Sequence, residues 1–78
     1  MKDKLKKIIA SVFNLEVDSI KDDASPDNIL NWDSLNHMNL IVSLEEEFKI
    51  RFTDDDISEM LNLELIEIII NEKLKGSN

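Results

Sequence analysis

Leu5, Ile8, Ile9, Val12 and Phe13 recur at intervals of three and four, with lysines and Asp3 filling the gaps. That period places them on one stripe of a 3.6-residue helix, so the opening segment reads as an amphipathic helix over residues 3–14. Residues 15–33 lose the period. They contain Pro26, five aspartates, two serines and two asparagines, which is the composition of a loop. Nineteen residues is long for a connection in a small domain. Leu15, Val17, Ile20, Ile29 and Leu30 punctuate it, and they are expected to pin it to the core.

The period returns after Asp33, a good N-cap residue, and runs from Ser34 to Phe48, with Asn36 at the third helical position. Lys49-Ile50-Arg51-Phe52 then resembles a short extended connector. Thr53 caps a brief third helix over 54–60, whose first turn holds Asp54, Asp55 and Asp56, where acids complement the helix dipole. Residues 61–74 are ambiguous. Leu61, Leu63 and Leu65 alternate as in a strand, and the three successive isoleucines favour one. Glu64, Glu67 and Asn71 nonetheless fall on one helical stripe, so the segment is read as helix over 64–74, with Lys73, Lys75 and Gly76 as end signals. The expected fold is all-α: a single domain over 1–78, with a tail at 76–78 and a four-helix bundle of three longer helices and one short third helix.

Composition removes many functions. The chain is 42% hydrophobic and 33% charged, unlike a disordered tail. No apolar run approaches the ~20 residues that span a bilayer. There is no Cys and one His, which leaves no ligand set for a structural zinc and no thiol nucleophile. The lone Gly76 excludes a Gly-rich phosphate loop. Net charge is −8, unevenly spread: Lys2, Lys4, Lys6 and Lys7 crowd the start, whereas residues 16–72 hold sixteen acids against Lys21, Lys49 and Arg51. Such a surface repels nucleic acid and anionic membranes and attracts basic protein patches. The acidic runs 45–47 and 54–56 lack the spacing and Gly of an EF-hand and read as a solvated face and a helix start, not a metal site. The lysines at the start are followed by a short amphipathic stretch unlike a signal peptide, so the expected compartment is the cytoplasm.

The helix over 34–48 carries two apolar arcs. Leu40, Ile41, Leu44 and Phe48 form a normal core face, whereas Leu35, Met38 and Val42 lie on a second arc roughly 100° further round. A neighbouring helix covers that second arc, or else it is an exposed ridge for docking. Ser34 stands in the first turn, where free N–H groups and the dipole favour an attached phosphate. His37 lies three residues on, within reach of Ser34 on a helix. With no third group to orient it and no Gly elbow around the serine, it reads as a half-buried, hydrogen-bonded histidine. Trp32 reads as a lid packing the loop onto the core, its indole N–H seeking a partner.

The string Leu30-Asn31-Trp32-Asp33-Ser34-Leu35, followed by Leu44-Glu45-Glu46-Glu47-Phe48 at matching distance, resembles the acyl carrier protein family. The resemblance extends along nearly the whole chain. It implies a carrier, not an enzyme, with 4'-phosphopantetheine from coenzyme A attached to Ser34 within the signature Asp33-Ser34-Leu35. A separate phosphopantetheinyl transferase makes the attachment, and acyl-loading and acyl-transfer enzymes with basic patches are the other partners. It also implies a monomer that docks through Leu35, Met38, Val42, Glu45, Glu46 and Glu47. Leu44, Phe48, Phe52, Ile57, Met60 and Leu65 are the implied acyl-pocket candidates.

Departures from the family pattern point to a specialised pathway. The family's usual Gly before the signature is Asn31, followed by Trp32. Neutral Asn36 and Asn39 stand where fatty-acid carriers present acids, and the usual Pro of the third helix is Thr53. The expected role is therefore acyl carriage in fatty acid or, by preference, specialised lipid, polyketide or sugar-modification biosynthesis. Alternatives are a peptidyl or aminoacyl carrier, an acidic adaptor without a prosthetic group, and a minimal hydrolase using Ser34 and His37.

Overall fold

Four α-helices follow one another in the computed structural model: α1 (Lys2–Phe13), α2 (Ser34–Phe48), α3 (Asp54–Glu59) and α4 (Leu63–Lys75), with one 3₁₀ turn at Val17–Ser19 in the long connection. The structure describes residues 1–76, so the tail beyond Gly76 lies outside the described residues. No described helix is long and apolar enough to cross a membrane.

Three helices build the core. Leu5, Ile9, Ala10 and Phe13 from α1 meet Leu40, Ile41 and Leu44 from α2 and Leu63, Ile66, Ile69 and Ile70 from α4. The ambiguous last segment is therefore helix: Ile69 and Ile70, two of the three successive isoleucines that favour a strand locally, join Leu63 and Ile66 in a buried helical stripe, and Ile68 is exposed. Its N-terminus lies one residue earlier than expected. Asn62 Oδ1 accepts the Leu65 N–H at 2.8 Å and caps the helix.

The helix ends are less apparent from sequence, because the chain closes them without glycine. Asn14 and Lys49 adopt the left-handed conformation, with φ of 59° and 57°. Leu15 N–H then reaches Ala10 O at 2.9 Å, and Ile50 N–H reaches Glu45 O at 3.2 Å, the six-to-one bond of a Schellman turn in both cases. The connector expected to be extended from Lys49 thus begins with a left-handed turn. Gly76 caps α4 with φ of −98°, outside the region that needs glycine.

The long loop is pinned, but not by all the residues expected to do so. Ile20 and Ile29 are buried, as are Ala24 and Trp32, whereas Leu15 and Val17 are exposed and Leu30 is fully so. Alternate apolar residues in an irregular segment cannot all face inward, and here the polar bonds choose. Asn28 holds a turn by accepting from Ser25 N–H and donating to Asp23 O, each at 3.0 Å. Ala24 O accepts the Leu63 N–H at 2.9 Å, tying the loop to the start of α4.

Candidate functional site around Ser34

Asp33 starts α2. Its extended backbone and its carboxylate, which accepts the Asn36 N–H at 2.9 Å, make it the N-cap. This places Ser34 at the first helical position, exposed to solvent. The hydroxyls of Ser19 and Ser58 donate to carbonyls, and that of Ser25 accepts an N–H. Ser34 Oγ makes no hydrogen bond among the described residues.

The segment before Ser34 is fixed by amides. Asn31 Nδ2 donates to Phe13 O at the end of α1 at 3.3 Å, and Asn36 Nδ2 donates to Asn31 O at 2.8 Å. Asn39 Nδ2 in turn donates to Asn36 Oδ1 at 3.2 Å. Asn31 and Asn36, two of the departures from the family pattern, hold the loop to two helices. No periodicity signals such bonds, since each depends on one side chain meeting a backbone carbonyl of another segment.

Trp32 and His37 form the other side. Trp32 is 6% exposed, and its ring lies 5.2 Å from that of Phe13, so it packs the loop onto the core. Its Nε1–H donates to His37 Nδ1 at 2.9 Å. An indole nitrogen only donates, so Nδ1 is the acceptor and the proton sits on Nε2, which faces Ile57 O at 3.3 Å. Both ring nitrogens of the half-buried histidine are therefore occupied, and neither engages Ser34.

Beside Ser34 lies an open, mainly apolar cavity of about 590 Å³, with Trp32, His37, Met38, Ile57, Met60 and Leu61 in its wall. The structure brings two of the six expected pocket residues there, Ile57 and Met60. Leu44 is fully buried in the core, Phe48 and Phe52 pack against it half-buried, and Leu65 is half-buried on α4.

Leu35 (71% exposed), Met38 and Val42 are uncovered, which removes the option that a neighbouring helix buries this arc. Leu61, 60% exposed, joins the cavity's rim from the link after α3, where no helical pattern marks it. The three expected docking acids differ. Glu45 is half-buried and accepts the Phe52 N–H at 2.9 Å, and Glu47 pairs with Lys4 at 3.0 Å. Glu46 is exposed and has no ion pair among the described residues.

Two aspartates are electrostatically held. Lys73 beside Asp56, together with the Thr53 N–H, keeps that carboxyl below the usual aspartate value and fastens α3 to α4. Asp22 is lowered mainly by its hydrogen bond from Lys6, at 2.7 Å.

Residues 3–67 match the family model described as the phosphopantetheine attachment site. The chain belongs to the acyl carrier protein family. It is 38% identical over 72 residues to the acyl carrier protein of Buchnera aphidicola subsp. Schizaphis graminum, a match covering 92% of this chain and 91% of that one. It is 32% identical over 74 residues to that of Nitratidesulfovibrio vulgaris, covering 94% and 97%. The solution structure of the holo acyl carrier protein from Geobacter metallireducens superimposes with a TM-score of 0.86 at 34% identity, over 97% of this chain and 87% of that one. Members of the family are carriers, not enzymes, and bear a phosphopantetheine prosthetic group. The residues around Ser34 fit such a group: an unengaged, exposed hydroxyl, the positive end of a fifteen-residue helix for a phosphodiester, and an apolar cavity alongside.

Proposed function

We propose that Ser34 is the attachment point of the phosphopantetheine arm, and that this carrier presents acyl cargo on it to partner enzymes. The supporting observation is the free Ser34 hydroxyl at the first position of α2, beside the cavity. In the attachment step, Ser34 Oγ bonds to the β-phosphorus of coenzyme A. The pyrophosphate linkage breaks, and adenosine 3',5'-bisphosphate leaves. The thiol of the attached arm supplies the thioester link to an acyl group. The hydrolase alternative lacks its base, because Trp32 and Ile57 O occupy both nitrogens of His37. The test is intact mass after incubation with coenzyme A and a broad-specificity transferase. Wild type gains one phosphopantetheine, and Ser34→Ala gains none while staying folded. A mass gain in Ser34→Ala would overturn the assignment.

Exposed Leu35, Met38 and Val42, with Glu46, form the docking ridge in this reading, and the carrier works as a cytoplasmic monomer. The specialised-pathway reading is favoured by the amide pair of Asn36 and Asn39. A carboxylate at position 36 has no proton to donate to Asn31 O, so the neutral amide is part of the loop's support. Asn39→Glu restores one acid while leaving that bond alone. A surface charge pair is worth ~0.5–1 kcal/mol, which is about two- to fivefold in affinity. Poor turnover of the wild-type holo-protein by a housekeeping fatty-acid ketosynthase, improved by this factor in Asn39→Glu, is expected. Wild-type turnover equal to that of a housekeeping carrier would refute the specialised reading.

A further inference from the structure

The cavity beside Ser34 does not continue into the core, and Trp32, His37 and Met60 form its floor. Trp32 stands between the cavity and α1, with its ring against Phe13, itself 1% exposed. The Trp32 indole N–H is bonded to His37, and His37 is bonded onward to Ile57 O, so one chain of contacts joins the loop, α2 and α3 across the cavity floor. Met60 completes the floor at 1% exposure, and Leu40, Leu44, Leu63 and Ile66 of the core are at 0%. A side chain the size of tryptophan, with its one donor satisfied and its face on another ring, occupies volume that an incoming alkyl chain would need. A chain entering the core from this cavity must part His37 from Ile57 O, between α2 and α3, or lift Trp32 from Phe13, beside α1.

From this we infer that Trp32 and His37 close the interior to cargo: an acyl chain of any length stays outside the core, on the solvent side of the Trp32–His37 pair. The inference rests on attachment of the arm at Ser34. Trp32 fills the space, and His37 acts through it as a positioning residue.

The sequence provides its own reporter, since Trp32 is the single tryptophan and there is no tyrosine. Wild-type apo-protein is loaded by a phosphopantetheinyl transferase with butyryl-, octanoyl- or dodecanoyl-coenzyme A. Trp32 emission and the rate of thioester cleavage by hydroxylamine are then measured. The expected result is the same emission maximum and the same cleavage rate for all three chains. In Trp32→Leu, the octanoyl and dodecanoyl thioesters become several-fold slower to cleave than the butyryl one. Should circular dichroism show that this variant is unfolded, His37→Leu replaces it, with the expectation of a chain-length-dependent red shift of Trp32 emission. Chain-length-dependent protection or emission in the wild type would overturn the inference, as would a folded Trp32→Leu with no protection. Absence of any mass gain on loading would instead defeat the carrier reading itself, so the two failures are distinguishable.

Discussion

Helix α4 buries Leu63, Ile66, Ile69 and Ile70, whereas α3 buries none of its six residues. The first is held chiefly by the hydrophobic effect and the second chiefly by a few directional bonds. Thr53 and Asp56 form a reciprocal capping box, with bonds of 3.1 and 2.9 Å, Asp56 pairs with Lys73, and Ile57 O faces His37. Apolar anchoring comes from one half-buried residue of its own, Ile57, and from its flanks, through buried Met60 and half-buried Phe52. Apolar burial is non-directional and cooperative, so α1, α2 and α4 stand or fall together. Polar ties act one by one, so α3 is the α-helix expected to open at least cost. It also forms one wall of the cavity beside Ser34, so the weakest-held helix borders the site.

The comparison breaks most directly at the frame. Ile66→Ala removes a side chain at 0% exposure and should cost ~2–5 kcal/mol of global stability. Urea unfolding followed by circular dichroism checks this, and a loss below that range would show that the core repacks around the deletion. Thr53→Ala removes the cap of α3 and should cost about 0.5–2 kcal/mol. Amide exchange should localise the loss, with α3 protection falling while α1 and α4 keep theirs. A uniform fall would mean that α3 belongs to the same cooperative unit as the frame.

The smallest effect tests the charge tie. Asp56 has a folded-state pKa below its unfolded value, so it binds fewer protons when folded. Its contribution is complete above the unfolded value and is lost as pH falls below about 4 and through the lowered one. Asp56→Asn retains an acceptor for the Thr53 N–H and loses the Lys73 pair, which is worth roughly 0.2–1 kcal/mol for an exposed-type bridge. The stability gap between wild type and variant should therefore be present at neutral pH and close in acid. A gap that stays constant with pH would assign the effect to the cap instead of the charge.

Local patterns located the helices because each rule acts within a few residues. Asp33 and Thr53 announced the starts of α2 and α3, and the three-four period of Leu40, Ile41, Leu44 and Phe48 announced the buried face of α2. Asn62 escaped notice because Leu61, Leu63 and Leu65 alternate around it as in a strand. The ends at Asn14 and Lys49 escaped because they use the left-handed conformation without the glycine that usually signals it. At the site, Ser34 was legible from Asp33-Ser34-Leu35, and the half-buried, bonded state of His37 from the lack of a third group and a Gly elbow that would make it a catalytic base.

Other features were settled only when distant segments met. Whether Leu35, Met38 and Val42 face a helix or water depends on where α3 comes to rest, and the sequence around α2 is silent on that. The division of the acids into Glu45 bound to Phe52 N–H, Glu47 paired with Lys4, and unpaired Glu46 depends on partners seven and forty-three residues away. The closing of the cavity floor likewise needs Phe13, Trp32, His37 and Ile57 from four separate segments. Periodicity, capping and charge spacing are properties of neighbours along the chain, so sequence determined the helices, the capped starts of α2 and α3, and the place of Ser34 in the first turn of α2. Cavity depth, the pairing of acids and the contents of the floor are properties of neighbours in space, and packing alone decided them.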